Sequence, residues 1–206
     1  MDVESSWPVV AVLLAAGRSR RFGSENKLLA EIGGEPLVRR AARALLAARV
    51  QSVIAVTGFE RERVEAALEG LDVRLVHNPD HDAGLGSSLA RGIAAVPEAA
   101  AGALVCLADM PGTRADLVDR LIDLFESDGG SRIVFPVAPA GRQGNPVLWP
   151  KLYFDRLGAL TGDTGGKAIL EGCIDDTLVL EVGSEETLDD IDTPEDLAPW
   201  KQGSAP

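Results

Sequence analysis

The sequence predicts an α/β fold, a three-layer sandwich in which helices cover both faces of a mostly parallel β-sheet. Unbroken apolar runs recur along the chain, which is typical of strands buried on both faces of a parallel sheet. Segments with apolar residues at helical spacing separate these runs. Strands and helices that alternate in this way form parallel sheets with right-handed crossovers. We expect a single domain over residues 1–206, with a core at about 9–197 and frayed ends.

The first half of the chain shows the alternation most clearly. Residues 9–14 form an apolar run that ends at Ala-Ala-Gly. Pro36 suits the first turn of a helix because its φ angle is already helical, and Leu37, Ala41 and Leu45 follow at near-helical spacing. The further predictions are a strand at 52–57, a helix at 61–69, a strand at 73–76 and a helix at about 87–95.

The second half continues the pattern with shorter elements. Its predicted elements are a strand at 103–107, a helix at 115–125, strands at 132–137 and 177–182, and a terminal helix that begins at Thr193 and Pro194. Residues 145–149 are a short apolar run between a glycine-rich turn and a proline. The sequence contains no internal repeat and no linker that would divide it into two domains.

Charge and composition exclude several classes of function. The chain carries 20 Lys and Arg residues against 32 Asp and Glu residues, so its field repels polyanions and we expect no nonspecific nucleic-acid binding. No apolar run approaches the roughly 20 residues that cross a bilayer, and the first eight residues lack the pattern of a secretory signal. Cys106 and Cys173 fit reduced thiols. We therefore expect a cytoplasmic protein that does not bind membranes.

A basic loop follows the first apolar run, in the segment "LAAGRSRRFGSENK". Ligands of α/β sheets bind beyond the carboxyl ends of the strands, and the small residues of this loop allow a close approach. Arg21 and Lys27 can neutralise phosphate oxygens, whereas Arg18 and Arg20 are more simply solvated loop residues. The loop matches neither G-x-x-x-x-G-K-[ST] nor G-x-G-x-x-G. It is a candidate phosphate loop of another kind.

Two aspartates follow predicted strands. Asp109 comes after the run at 103–107, and Asp192 lies in "LDDIDTPEDL" after the last strand. Such carboxylates can hold Mg²⁺, which binds one or two protein carboxylates together with substrate phosphates. The alternative is that these aspartates cap helices or occupy solvated turns.

Six segments occur in the order and context typical of one family: "LLAAGRSRRFGSENKLL", "GLGSSLARGI", "CLADMP", "GRQGNPVLW", "LTGDTGGKAIL" and "DIDTPEDL". The chain resembles the MobA-like nucleotidyltransferases, and within them it is most similar to the molybdenum cofactor cytidylyltransferases. The resemblance covers about residues 9–197. It implies a sandwich of the nucleotide-diphospho-sugar transferase type, in which an acceptor attacks the α-phosphorus of a nucleoside triphosphate and pyrophosphate is released.

The resemblance also assigns residues to the nucleotide. Those that would line the base and ribose, or read the base, are Leu14, Ala15, Ala16, Gly17 and Ser88. Arg21 and Lys27 would grip the triphosphate, and the catalytic set would be Arg21, Lys27 and Asp109. Asp109 and Asp192 match the positions that bind the metal, expected to be Mg²⁺.

A second group of residues matches the side of the family's site that binds the acceptor. Its members are Gly144, Asn145, Asp163 and Lys167. Lys167 stands where the family motif would place an arginine, which keeps the charge but loses the bidentate fork. The identity of the acceptor's phosphate group is therefore left open.

The function implied by the resemblance is a Mg²⁺-dependent transfer of CMP from CTP to a molybdopterin-type cofactor. The Ala-Ala-Gly after the first strand favours CTP over GTP, and a molybdenum hydroxylase or its chaperone is a possible partner. Three alternatives stay open. The first is a nucleotidyltransferase for another nucleotide, such as GTP, or for another phosphorylated acceptor, such as a sugar phosphate. The second is an NAD(P)H-dependent reductase of the nicotine blue oxidoreductase type found in the same family. The third is a non-catalytic nucleotide sensor or cofactor chaperone.

Overall fold

The computed structural model describes residues 7–19, 21–23 and 25–201. Nine strands occur in this part of the chain: β1 (Val9–Ala15), β2 (Glu31–Ile32), β3 (Glu35–Pro36), β4 (Ser52–Thr57), β5 (Val73–His77), β6 (Gly102–Leu107), β7 (Ile133–Val137), β8 (Val147–Pro150) and β9 (Thr177–Glu181). The α-helices of the same residues are α1 (Leu37–Leu46), α2 (Arg61–Ala67), α3 (Leu85–Ala94), α4 (Ala115–Ser127), α5 (Phe154–Gly158), α6 (Lys167–Glu171) and α7 (Pro194–Lys201).

Seven of the described strands form one large sheet, in the order β5-β4-β1-β6-β8-β7-β9. The pairs β1 with β4, β1 with β6, β4 with β5 and β7 with β9 are parallel, and β8 is antiparallel to both of its neighbours. In the register of β1, Leu14 lies opposite Leu107 of β6. The predicted, mostly parallel sheet is therefore confirmed.

Two layers of helices cover the sheet. The alternating side chains of β1 show this, because Leu13 packs in a core with α1, α2 and α4, while Val12 packs on the other face with α3, α5 and α6. Both faces of the strand are buried, as its unbroken apolar run predicts. The three-layer sandwich is confirmed.

The antiparallel strand β8 matters for the position of loops. An antiparallel strand begins at the edge where its parallel neighbours end. The residues just before β8, Gly144 and Asn145, are thereby placed at the same edge as the residues that follow β1 and β6.

Helix α3 approaches the sheet closely at Gly92. A Cβ atom on this residue would lie 2.4 Å from Cγ1 of Val12 and 3.0 Å from Cγ2 of Val56. Only a glycine lets the helix backbone lie this close to the strands without displacing these valines.

Several details differ from the sequence-based predictions. Pro36 does not occupy the first turn of α1; it is extended, with ψ at 143°, and precedes that helix directly. The sequence analysis did not predict α5 and α6, because five-residue helices show too little periodicity. Of the predicted frayed ends, residues 1–6 and 202–206 lie outside the described residues, whereas Pro194–Lys201 is helical. Arg20 of the basic loop also lies outside the described residues.

None of the helices in the described part of the chain is long and apolar enough to cross a bilayer.

Candidate functional site

A cavity of about 470 Å³ opens at the carboxyl ends of β1 and β6. Its lining comes from the basic loop after β1, the start of α3, the residue Asp109 after β6, and the segment before α7. This is the edge at which ligands of open α/β sheets bind. We call it the first cavity.

The basic loop is folded by its own side chains. Ser19, at a φ of 53°, accepts a hydrogen bond from the backbone N–H of Lys27 at 3.2 Å. The buried Asn26 accepts from the N–H of Leu28 at 3.1 Å and so caps a single 3₁₀ turn that begins at Lys27. These bonds hold Lys27 on the wall of the first cavity.

Lys27 joins the two aspartates that the sequence singled out. Its Nζ lies 2.6 Å from Oδ2 of Asp109 and 2.8 Å from Oδ1 of Asp192. Arg21 reaches the other oxygen of Asp192 at 2.7 Å, although its side chain is mostly exposed. The chain thus brings together four of the predicted residues, which are separated by up to 171 positions in sequence, within one ion-pair network.

A third carboxylate, which the sequence analysis did not single out, joins this network. Asp190 offers an oxygen within 4.8 Å of oxygens of Asp109 and Asp192. Between the two aspartates of the last segment lies Ile191, which is buried and whose N–H donates to the backbone carbonyl of Asp109 at 2.9 Å. The alternation Asp-Ile-Asp could have predicted this, because residues two apart in an extended segment point to the same side, which would put Asp190 beside Asp192.

The charges of the network shift two pKa values. Burial alone would lower the pKa of Lys27, but the adjacent carboxylates of Asp109 and Asp192 outweigh it and raise that pKa. Burial, together with repulsion from Asp192 and Asp109, raises the pKa of Asp190. The site therefore favours a cation, and it holds its three carboxylates together at an electrostatic cost.

The cap of α7 is formed by residues other than Asp192. At the start of α7, Thr193 and Asp196 exchange hydrogen bonds: the N–H of Thr193 donates to Asp196 at 2.8 Å, and the N–H of Asp196 donates to Oγ1 of Thr193 at 3.3 Å. Oδ1 of Asp109 is buried and has no hydrogen-bond partner among the described residues. Asp109 and Asp192 thus face the cavity.

Most of the remaining residues predicted to bind the nucleotide line the same cavity. Leu14, Ala16, Gly17 and Ser88 line the first cavity. Ala15 differs, because its side chain is buried in the core on the other face of the sheet. A side chain at Ala15 would therefore not meet a ligand in the cavity.

Arg18 is not simply a solvated residue. It donates to Oδ2 of Asp82 at 2.8 Å, and its guanidinium lies 5.5 Å from the centre of the Phe59 ring. Both Arg18 and Asp82 line the first cavity, so this pair links the basic loop to the loop after β5 across its rim.

A second cavity of about 430 Å³ adjoins the first, and Leu14, Leu85 and Leu107 line both. Its walls are mainly apolar, and Gly144, Asn145 and Lys167 lie among its lining residues. Asp163, which the sequence analysis placed in the same group, lines the first cavity instead. The reason is a close approach: a Cβ atom at Gly84 would lie 2.5 Å from Oδ1 of Asp163.

A family model for the MobA-like NTP transferase domain matches residues 11–178. This range includes most of β1, all of β6 and most of the residues that line the two cavities. The chain belongs to this family. The MobA-like protein is thus a nucleotidyltransferase by family, and the resemblance of its motifs to the MobA-like family is confirmed.

Relatives of this MobA-like protein carry different names. It is 30% identical to the purine catabolism protein PucB of Bacillus subtilis, over 91% of this chain and 93% of the relative. It is 30% identical to a probable molybdenum cofactor guanylyltransferase of Natronomonas pharaonis, over 90% and 93% of the two chains. It is also 30% identical to the nicotine blue oxidoreductase of Paenarthrobacter nicotinovorans, over 92% and 94%.

Solved structures share the architecture of the MobA-like protein. A nucleotidyl transferase from Methanothermobacter thermautotrophicus superposes with a TM-score of 0.82 at 26% identity, covering 96% of this chain and 97% of that one. The Rv0371c homologue from Mycobacterium sp. strain JC1 superposes with a TM-score of 0.81 at 30% identity, covering 95% and 96%.

Proposed function

We propose that the protein transfers CMP from CTP to a molybdopterin-type cofactor, with a divalent cation, Mg²⁺, and with release of pyrophosphate. The observation that carries the proposal is the network of Lys27 with Asp109 and Asp192 in the first cavity. Basic side chains such as that of Lys27 bind the oxygens of a polyphosphate, and paired carboxylates bind the divalent cation that accompanies it.

The residues present fit a divalent cation. Oδ1 of Asp109 is buried without a hydrogen-bond partner among the described residues, and an unpaired buried carboxylate oxygen is costly unless a ligand satisfies it. One carboxylate oxygen from each of Asp109, Asp190 and Asp192 lies within 4.8 Å of the other two. Asp109, Asp190 and Asp192 would hold the ion. When bound, Mg²⁺ neutralises charge on the phosphate oxygens.

The residues of the chain supply positioning and charge. Lys27 and Arg21 are placed to bind triphosphate oxygens and to offset the charge that develops on the leaving pyrophosphate. An oxygen of the acceptor's phosphate attacks the α-phosphorus, and the bond from that phosphorus to the β-phosphate oxygen breaks. Since a phosphate monoester is already ionised near neutral pH, the step needs no general base from the protein.

The shared wall of the two cavities supports a transfer between two bound molecules. A nucleotide in the first cavity and an acceptor in the second would meet beside Leu14 and Leu107. Lys167 and Asn145 would bind polar groups of the acceptor, and the apolar wall would cover its ring system. When both reactants are held close together in the right orientation, the reaction step becomes effectively unimolecular and much of its entropic barrier is removed.

The choice of CTP rests on Ala16, which follows β1 directly and lines the first cavity. The relative from Natronomonas pharaonis is named a guanylyltransferase, so GTP is the main competitor. The test is pyrophosphate release from each nucleoside triphosphate, with purified molybdopterin and Mg²⁺. Release with CTP well above that with GTP supports the proposal. Oxidation of a reduced nicotinamide cofactor without pyrophosphate release would overturn it in favour of the oxidoreductase reading.

Asp109→Asn tests the network itself. The substitution keeps the shape of the side chain and removes a charged metal ligand, so we expect metal-dependent turnover to fall at least about 100-fold. The fold should persist, because Lys27 keeps its contact with Asp192. Asp116→Asn, which removes an exposed charge paired with Arg114, is the matched control and should retain activity. Unfolding of Asp109→Asn, or full activity in it, contradicts the assigned role.

A further inference from the structure

Ser88, one of two serines that line the first cavity, is held by a buried asparagine. Ser88 is 4% exposed, yet it faces the cavity from the first turn of α3. The side chain of Asn78, 2% exposed, donates from Nδ2 to the hydroxyl oxygen of Ser88 at 3.0 Å. Asn78 follows β5 directly and was not among the residues that the sequence analysis singled out.

The orientation of the Asn78 amide is determined by its other contacts. Its Oδ1 accepts a hydrogen bond from the backbone N–H of Asp80 at 3.1 Å. A backbone N–H can only donate, so the oxygen of the amide faces Asp80 and the nitrogen faces the serines. Asn78 is also tied to the sheet, because its own N–H donates to the carbonyl of Thr57 at 2.8 Å.

The neighbouring serine shows the contrast. Ser87 also accepts a hydrogen bond from Nδ2 of Asn78 at 3.0 Å, and its proton can go to the carbonyl of Gly84 at 2.8 Å or of Asp80 at 2.9 Å. Ser87 is therefore satisfied within the protein. The hydroxyl proton of Ser88 has no acceptor among the described residues, so it is directed at whatever occupies the cavity.

We propose that Asn78 is a positioning residue that makes Ser88 a hydrogen-bond donor toward the base of the bound nucleotide. The inference rests on the proposed function, because it takes the base to lie against α3. A serine hydroxyl can normally donate or accept, and would therefore tolerate either type of group on a base. Asn78 takes one of the two lone pairs of Ser88, and the Ser88 proton has no acceptor among the described residues, so Ser88 favours a base that presents a ring nitrogen or carbonyl oxygen at this point.

Asn78→Asp reverses this polarity without changing the shape of the side chain. The introduced carboxylate can only accept, so Ser88 would donate to it and would present a lone pair to the base. Isothermal titration calorimetry with CTP should show about tenfold weaker binding, since a hydrogen bond is replaced by two facing lone pairs. Inorganic tripolyphosphate, which has no base, should bind to the variant as to the wild type.

A double-mutant cycle separates positioning from a general structural role. Ser88→Ala should weaken CTP binding, and adding Asn78→Asp to it should cause no further loss, because Asn78 acts through Ser88. Ser87→Ala, which removes the other serine bonded to Asn78, should leave CTP affinity within about twofold of the wild type. If Asn78→Asp does not fold, Asn78→Ala takes its place in the cycle and should be equally non-additive with Ser88→Ala.

The outcomes are distinct. Additive losses in the cycle, or an equal loss of tripolyphosphate binding, would show that Asn78 merely supports the loop and would overturn the inference. Wild-type protein that binds tripolyphosphate but shows no preference for any nucleoside triphosphate over it would instead overturn the proposed function. Wild-type binding of CTP with unchanged affinity in Asn78→Asp would overturn the inference alone.

Discussion

Lys27→Met is expected to destabilise the protein in a way that a divalent cation reverses. Methionine fills nearly the same space as lysine but removes the charge that joins Asp109 and Asp192. In the variant, the three clustered carboxylates keep only Arg21 as a cationic partner among the described residues, and that side chain is 73% exposed. Repulsion among the carboxylates is then largely uncompensated.

The size of the effect follows from the burial of the network. The side chain of Lys27 is 12% exposed, and those of its partners are 16% and 21% exposed. Removal of one partner from a buried ion pair costs about 3–5 kcal/mol, and the partial exposure favours the lower end, about 3 kcal/mol. For a chain of this size that lowers the melting temperature by about 6–12 °C.

The assay is thermal unfolding, monitored by circular dichroism, first with a chelator and then with Mg²⁺ or Mn²⁺. A ligand at 100 times its Kd stabilises a protein by about 2.7 kcal/mol. Because the ion no longer competes with an ammonium group, the rise in melting temperature should be larger in Lys27→Met than in the wild type. The matched control, Lys151→Met, removes an exposed lysine that contacts a backbone carbonyl and should change neither quantity.

Two results would refute the reasoning. If Lys27→Met and the wild type have the same melting temperature in the presence of a chelator, the ammonium group of Lys27 does not hold the carboxylates together in solution. An equal response of both proteins to the cation would mean that the ion binds elsewhere.

Two further predictions concern the fold. Gly92→Ala should lower the free energy of unfolding in urea by about 1–2 kcal/mol, because its Cβ would clash with Val12 of β1. Gly158→Ala, with open space around the residue, should leave that free energy unchanged or raise it by about 0.5 kcal/mol. A higher free energy of unfolding in both variants would be inconsistent with the close packing of α3. Hydrogen bonds from Arg132 lower the pKa of Asp128, so that interaction stabilises the fold above the ordinary pKa of 3.8 and is lost as the pH falls through the lower, folded-state value. Asp128→Asn should cost at most about 1 kcal/mol at pH 7, and wild type and variant should converge in acid.

The sequence by itself predicted the layers, because burial on both faces leaves a strong one-dimensional signal. The apolar run of β1 and its small-residue end were sufficient to predict a ligand site at the edge of the sheet where the first cavity lies. Motifs with several fixed residue types were specific enough to identify the family. Short helices such as α5, whose five residues span little more than one turn, leave too weak a pattern to be found.

The tertiary structure alone decided which side chains act together. Asp190 looked like one acid among many until the folded chain brought it within 4.8 Å of oxygens of Asp109 and Asp192. Asp163 and Lys167, four positions apart, line different cavities. The direction of the Ser88 hydrogen bond depends on Asn78, ten residues away. Electrostatic and hydrogen-bond energies depend on distances in space and on which atom faces which, and a linear pattern of residues records neither.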